Sequence, residues 1–268
     1  MTRVIVHAGY HKTGTTSLQN FLRDNRAALA PHLRYFGKGD FPAAGAHARI
    51  YAQRPFVWRL WRFRLALRRF LKTVPPGGVI VLSRETFSGG MPGHRKIGGA
   101  MMTSYTKPAT RLGRAIVAEL RAHFGKTVEI TFFYTTRNRE DWIRSVHGHL
   151  LRSIRLTDDF ETFRARFADL KGPGAEAADM ARSLAPIPVE TAALEDYESH
   201  REGPAAAILD LLNIPADLRT KLKPARHSNP GQPEELRATF REMNGRQLTK
   251  AALKSEKDRL IRQKGANQ

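Results

Sequence analysis

The chain has 268 residues, 41% of them hydrophobic and 26% charged, which fits one globular domain, or at most two, and excludes disorder throughout. Forty-five Lys and Arg against 25 Asp and Glu give a formal charge of +20, so an anionic partner is expected: nucleic acid, a membrane surface, an acidic polymer or a multiply phosphorylated small molecule. There is no cysteine, which excludes a disulfide framework, thiolate metal sites and a cysteine nucleophile. The N-terminus lacks the apolar run of a signal peptide and no later stretch approaches a membrane span, so a cytoplasmic protein is expected.

In chain order, the β-branched run Val4–Val6 reads as a buried strand. It enters a Gly-rich polar turn from Ala8 to Thr16 and then an amphipathic helix from Ser17 to Leu29. The continuous apolar runs Val79–Leu82 and Val128–Tyr134 read as two more strands. Helical periods cover Pro55–Lys72, Arg111–Phe124 and Asp141–Ile154. Between them, Ser88 to Lys107 is Gly- and Met-rich without a period, and predicts a long mobile loop of the kind that serves as a lid.

A weaker strand, Ile187–Ala192, sits between prolines that suit a sheet edge, and a helix follows from Pro204 to Leu212. A charged helical pattern closes the chain from about 233, as an extension of a single domain spanning 1–268. Strands alternating with helices predict an α/β fold, with a mostly parallel sheet covered on both faces.

The sharpest motif lies between the first strand and the first helix, in the run from His7 to Ser17. Gly9 and Gly14 have the spacing G-x-x-x-x-G, in which backbone N–H groups and a helix N-terminus cradle an anion. A nucleoside-triphosphate loop would continue with Lys, but Thr15 stands there and the lysine, Lys12, is inside the loop. Thr15, Thr16 and Ser17 supply hydroxyls. The loop therefore suits an anion other than Mg-ATP.

The string His11, Lys12, Thr13, Gly14, Thr15, Thr16, Ser17 resembles the 5'-phosphosulfate loop of sulfotransferases that use 3'-phosphoadenosine 5'-phosphosulfate (PAPS), especially bacterial carbohydrate-type members. A second feature strengthens the resemblance: Arg137 ends the third of the four strands read above and Ser145 follows eight residues later, as in the pair that holds the donor's 3'-phosphate in that family. The family carries Pro two residues after this Arg, where Arg139 stands here.

The resemblance implies a P-loop-like three-layer fold, with PAPS as co-substrate, 3'-phosphoadenosine 5'-phosphate (PAP) as product and no metal. It implies donor contacts from His11 to Ser17, Arg137 and Ser145. The acceptor it implies is a hydroxyl of a carbohydrate or glycolipid.

Sulfuryl transfer needs a cation to offset charge on the leaving phosphate and a base for the acceptor's proton. Lys12 suits the first role. For the second there are two candidates: Glu85, in a stretch after the second strand that resembles the family's Ser-Ser-Glu, and His47, after the first helix where similar bacterial members often carry a histidine, with a solvated loop histidine as the alternative. His11 is a third, better suited to donor contact. Glu85 would need its pKa raised by burial to act as a base, and it could instead pair with an Arg to organise the pocket. The turn Arg226, His227, Ser228, Asn229 matches the family's basic loop only loosely and reads as an ordinary polar turn.

The segment Trp58–Lys72 places Leu60, Phe63, Leu67, Phe70 and Leu71 on one helical face. Trp58, Trp61 and Leu65 form a second face flanked by arginines. That face reads first as core or crevice lining with snorkelling arginines, and alternatively as a contact for the inner face of a membrane, an acidic glycan or a partner chain. Two other functions compete with sulfuryl transfer, a P-loop kinase or NTPase and a nucleic-acid-binding protein. The scatter of cations and the lack of a nucleic-acid motif argue against the latter.

Overall fold

A computed structural model describes residues 1–226 and 233–265. The chain forms two compact units: Met1–Arg139 with Lys171–Ser228, and Glu140–Leu170 with Asn229–Gln268.

The first unit is a three-layer α/β structure. Its elements begin with β1 (Thr2–His7), α1 (Thr15–Asp24), α2 (Arg26–Leu29), β2 (Arg34–Phe36), α3 (Pro42–Gln53), α4 (Val57–Leu71) and β3 (Gly78–Ser83). A 3-10 turn at Glu85–Ser88 leads to α5 (Thr106–Phe124) and β4 (Glu129–Thr136). After the second unit's first segment come α8 (Pro173–Leu184), β5 (Val189–Ala193), α9 (Ala206–Leu211) and α10 (Ala216–Lys221).

The five strands are all parallel, in the order β2-β3-β1-β4-β5. Strand β1 is central: the chain runs out to β2 and back through β3 on one side, then to β4 and β5 on the other. Ligands of such open sheets bind outside the carboxyl ends of the strands, where the winding reverses. That point is the end of β1, at His7.

Alternation along the strands explains the layers. Ile5, Val81 and Phe133 face a core that includes Leu18, Phe21 and Leu22 of α1 and Ile208 and Leu209 of α9. Their buried neighbours Val4, Val6, Ile80, Leu82 and Phe132 alternate with them along the strands, and α8 packs on β4 and β5. Burial of both faces is why the central strands read as unbroken apolar runs.

Four readings change. The first helix breaks at Asn25, whose side-chain amide donates to the Phe21 and Lys223 carbonyls at 3.0 Å each. A fifth strand, β2, is only three residues long and has no apolar run to announce it. His47 lies within a helix, α3, begun by Pro42 at its first turn, and not in a loop. Finally, Ser88–Lys107 holds local structure: Arg95 and Met101 form an antiparallel bridge, Met102 N donates to His94 O at 2.8 Å, and Met91, Met102 and Tyr105 are buried.

The second unit contains most of α6 (Arg139–Ser153), with α7 (Phe160–Arg166), α11 (Glu234–Gly245) and α12 (Lys250–Gly265). Its tie is polar and buried. Lys257 Nζ donates to the carbonyls of Leu151, Arg152 and Ile154 at 2.7, 3.3 and 3.1 Å. The Asn244 amide adds bonds to Leu151 O and Leu156 O. These close the C-terminal end of α6, where carbonyls lack helical partners and a cation is favoured. Among the described residues no helix is long and apolar enough to cross a membrane.

Candidate functional site

Residues at the carboxyl ends of β1, β3 and β4 build the candidate site. The loop from Ala8 to Gly14 leaves β1 and turns into α1. Gly14 caps that helix in the left-handed region, at φ +83°, where an L side chain is strained. Lys12 also has positive φ, +69°, although it is not glycine. Such a conformation costs of order 1 kcal/mol or more and persists only where the surroundings impose it.

Two bonds hold the loop. Thr13 Oγ1 donates to Tyr10 O at 2.7 Å and lies 2.8 Å from Thr135 Oγ1 near the end of β4. Ser88, closing the 3-10 turn after β3, donates to Ala8 O. Tyr10 is packed between Tyr105 and Tyr134, with centroids 4.8 and 5.0 Å away. The hydroxyls of Thr15 and Thr16 begin α1 beside the positive end of its dipole, and Ser17 Oγ lies 3.5 Å from Arg226 O.

Beside this loop stand His11 and Glu85. Glu85 opens the 3-10 turn directly after β3 and accepts a bond from Gln19 Nε2 of α1 at 3.0 Å. Burial pushes its carboxyl up, but His11, the Gln19 amide, its own backbone N–H and Arg84 outweigh burial and hold it below the usual range. Glu85 is therefore an ionised carboxylate at neutral pH, not a carboxyl raised by burial.

His11 is driven down to about 4 by burial, against the pull of Glu85, with His94, Lys12 and Arg49 pushing the same way as burial. Its ring stacks on Tyr105 at 6.1 Å, with Nδ1 3.4 Å from the phenol oxygen. Lys12, His11 and Glu85 thus share one electrostatic neighbourhood.

His47 does not join it. Its imidazole, half-buried on α3, is lowered by burial and by Arg62 and Arg59 of α4. Residues that the sequence reading passed over do join. Arg49, on the same helix, acts on His11, His94 and Arg84. Arg84 lies against α3 at Gly45, where a Cβ would come within 2.1 Å of its Nε, and donates to Lys38 O at 3.0 Å. His94 comes from the Gly-rich segment whose lack of period hid it.

Beneath the loop, a polar chain crosses three strand ends. His7 Nδ1 lies 2.7 Å from Ser83 Oγ, and Ser83 neighbours the Tyr35 phenol. Burial holds His7 at about 4 and pushes the Tyr35 phenol up.

Arg137 follows β4 and is half-buried. Among the described residues of the first unit no carboxylate pairs with it. The turn there is fixed without the proline: Asn138 N donates to Glu195 Oε1 at 2.8 Å. Ser145 lies half-buried on α6 in the second unit. Arg226 has its guanidinium 3.6 Å from Asp24, and its side chain is largely exposed. The other residues of that turn, His227, Ser228 and Asn229, lie outside the described residues.

The arrangement offers an anion cradle with an internal cation, next to a half-buried ionised carboxylate and a neutral imidazole. Compared with models of known protein families the chain matches none, and a comparison with curated proteins also finds no match.

Proposed function

We propose that the protein is a PAPS-dependent sulfotransferase acting on a hydroxyl of a carbohydrate or glycolipid. One observation carries the reading: the loop after the central strand holds its lysine inside, at Lys12 with positive φ, and follows Gly14 with Thr15 and not with Lys. A cation so placed serves the reacting end of a phosphosulfate, while the hydroxyls of Thr15, Thr16 and Ser17 and the α1 N-terminus bind its phosphate oxygens. Thr13 is spent on structure, bonding Tyr10 and Thr135. Arg137, at the end of β4, is suited to a two-pronged grip on the 3'-phosphate.

In the reaction, the acceptor oxygen forms a bond to sulfur as the bridging oxygen–sulfur bond breaks. The electron pair leaves on the 5'-phosphate of PAP, where Lys12 offsets the charge. Glu85 takes the acceptor's proton. Its place beside His11 and Lys12 favours this role over that of His47, whose electrostatic neighbours are Arg59 and Arg62, even though its pKa is lowered and not raised. Proximity to Arg49 and Arg84 favours an anionic acceptor.

Calorimetry with PAP, ADP and ATP on the wild type and Lys12→Ala tests the proposal. PAP binding tighter than ADP and ATP, weakened by Lys12→Ala, is expected. Preference for ATP would replace sulfuryl transfer with a kinase or NTPase, and salt-sensitive DNA binding without PAP affinity would replace it with nucleic-acid binding.

A further inference from the structure

Helix α4 carries a surface that the reaction does not use. Phe63, Leu67 and Leu71 are its buried face. Its other face is not crevice lining: Trp58 is 46% exposed and Trp61 61%. Immediately before and beside them, Phe56 is 43% exposed and Val57 85%. Ile97, 54% exposed, belongs to the same place, because its N–H donates to Gln53 O at 3.0 Å, at the end of α3. Among the described residues only one further large hydrophobic, Met1, is exposed. Clustered exposed apolar groups of this kind mark contact surfaces.

The charge around the cluster is one-sided. From Phe41 to Ala118 the sequence holds fourteen Lys and Arg and a single acidic residue, Glu85, which is turned into the candidate site. Arg54, Arg62, Arg69, Arg95 and Lys96 are exposed within this stretch. Arg64 and Arg68 are drawn toward Glu119 of α5, at 2.7 and 2.8 Å.

We infer that this face docks on an anionic lipid surface, with Val57, Trp61 and Ile97 entering the headgroup boundary and the surrounding arginines meeting lipid phosphates. An acidic glycan fits less well. Part of the Trp58 ring that would stack on a sugar is already taken, by Arg59 and Arg62 at 4.1 and 5.2 Å and by Phe56 in a parallel stack. Aliphatic Val57 and Ile97 gain nothing from a sugar but do gain from hydrocarbon. Basic residues and indoles together are the composition of interfacial helices. The inference does not depend on the reaction proposed above.

The test is co-sedimentation of the full chain with phosphatidylcholine vesicles and with vesicles containing phosphatidylglycerol, alongside binding to heparin. The expected result is binding to the anionic vesicles only, with a blue shift of tryptophan emission. That shift reports Trp58 and Trp61, because Trp142 is buried. Val57→Asp with Trp61→Ala should lower vesicle binding at least tenfold and leave heparin binding unchanged. Arg62→Glu or Arg69→Glu should lower vesicle binding about fivefold or more each. All four residues are exposed, so circular dichroism should match the wild type. Absence of vesicle binding at low salt, or vesicle binding indifferent to Val57→Asp/Trp61→Ala, overturns the inference. The second result would leave an electrostatic contact with a polyanion.

Discussion

Thr13 and Thr135 face each other across 2.8 Å, the one in the loop after β1, the other near the end of β4, two residues before Arg137. This bond ties the proposed phosphosulfate loop to the strand that carries the proposed 3'-phosphate ligand. Thr135→Val removes it and leaves Thr13 its bond to Tyr10 O. We expect a loss of about 1 kcal/mol in thermal or urea denaturation, and PAP affinity reduced several-fold in calorimetry. Unchanged PAP affinity would separate the bond from donor binding.

Lys12 sets backbone comfort against chemistry. Lys12→Gly relieves a left-handed conformation and should raise stability or leave it unchanged, since relief of about 1 kcal/mol offsets the greater freedom of the unfolded chain. Transfer should fall by a hundredfold or more. Denaturation and a sulfuryl-transfer assay on the same variant check both halves.

Arg137 should discriminate between two donors. Arg137→Ala is expected to weaken PAP binding by tenfold or more, as loss of a charged bond does, and to leave adenosine 5'-phosphosulfate, which lacks the 3'-phosphate, nearly unaffected. Titration of both ligands decides it.

Acid should unfold the first unit early. His7 and His11 both sit at about 4 because burial disfavours their charged forms, whereas in the unfolded chain they titrate near 6.5. Between those values the unfolded chain binds up to two more protons than the folded one. Their contribution is complete above pH 6.5 and is lost as pH falls toward 4, at roughly 1.4 kcal/mol per pH unit for each proton. Urea midpoints across this window should fall steeply, and His7→Gln should remove about half of these histidines' share of the slope. A slope unchanged in His7→Gln would mean that His7 is charged in the folded state.

Glu119 is buried, whereas Arg64 and Arg68 are half-exposed. Losing the arginines strands a carboxylate, while losing the carboxylate lets both guanidinium groups return to water. Arg64→Ala/Arg68→Ala should therefore destabilise the protein more than Glu119→Leu does. Chemical denaturation of the two variants gives the order.

Most of the first unit's sheet was legible because a strand buried on both faces has to be apolar throughout, as Val79–Leu82 and Val128–Tyr134 are. Strand β2 escaped because Arg34, Tyr35 and Phe36 are too few to show a pattern. Helix α3 escaped because the surroundings of His47 read as a loop, although Pro42, at a first helical turn, suits a helix start. The anion loop was legible because spacing is local. The partners of Glu85 were not: Gln19 and Arg49 reach it or its neighbours only once α1 and α3 are folded against the strand ends. The charge count misled in one respect. Scattered cations looked like a uniform surplus, while the informative feature was the missing acids between Phe41 and Ala118.

Lys257 has one more consequence, which concerns order of synthesis. Helix α6 ends on carbonyls that a residue more than a hundred positions later satisfies. As the protein leaves the ribosome, β5, α9 and α10 can complete the sheet unit while these carbonyls still wait. The second unit closes after the sheet unit, once Lys257 has emerged.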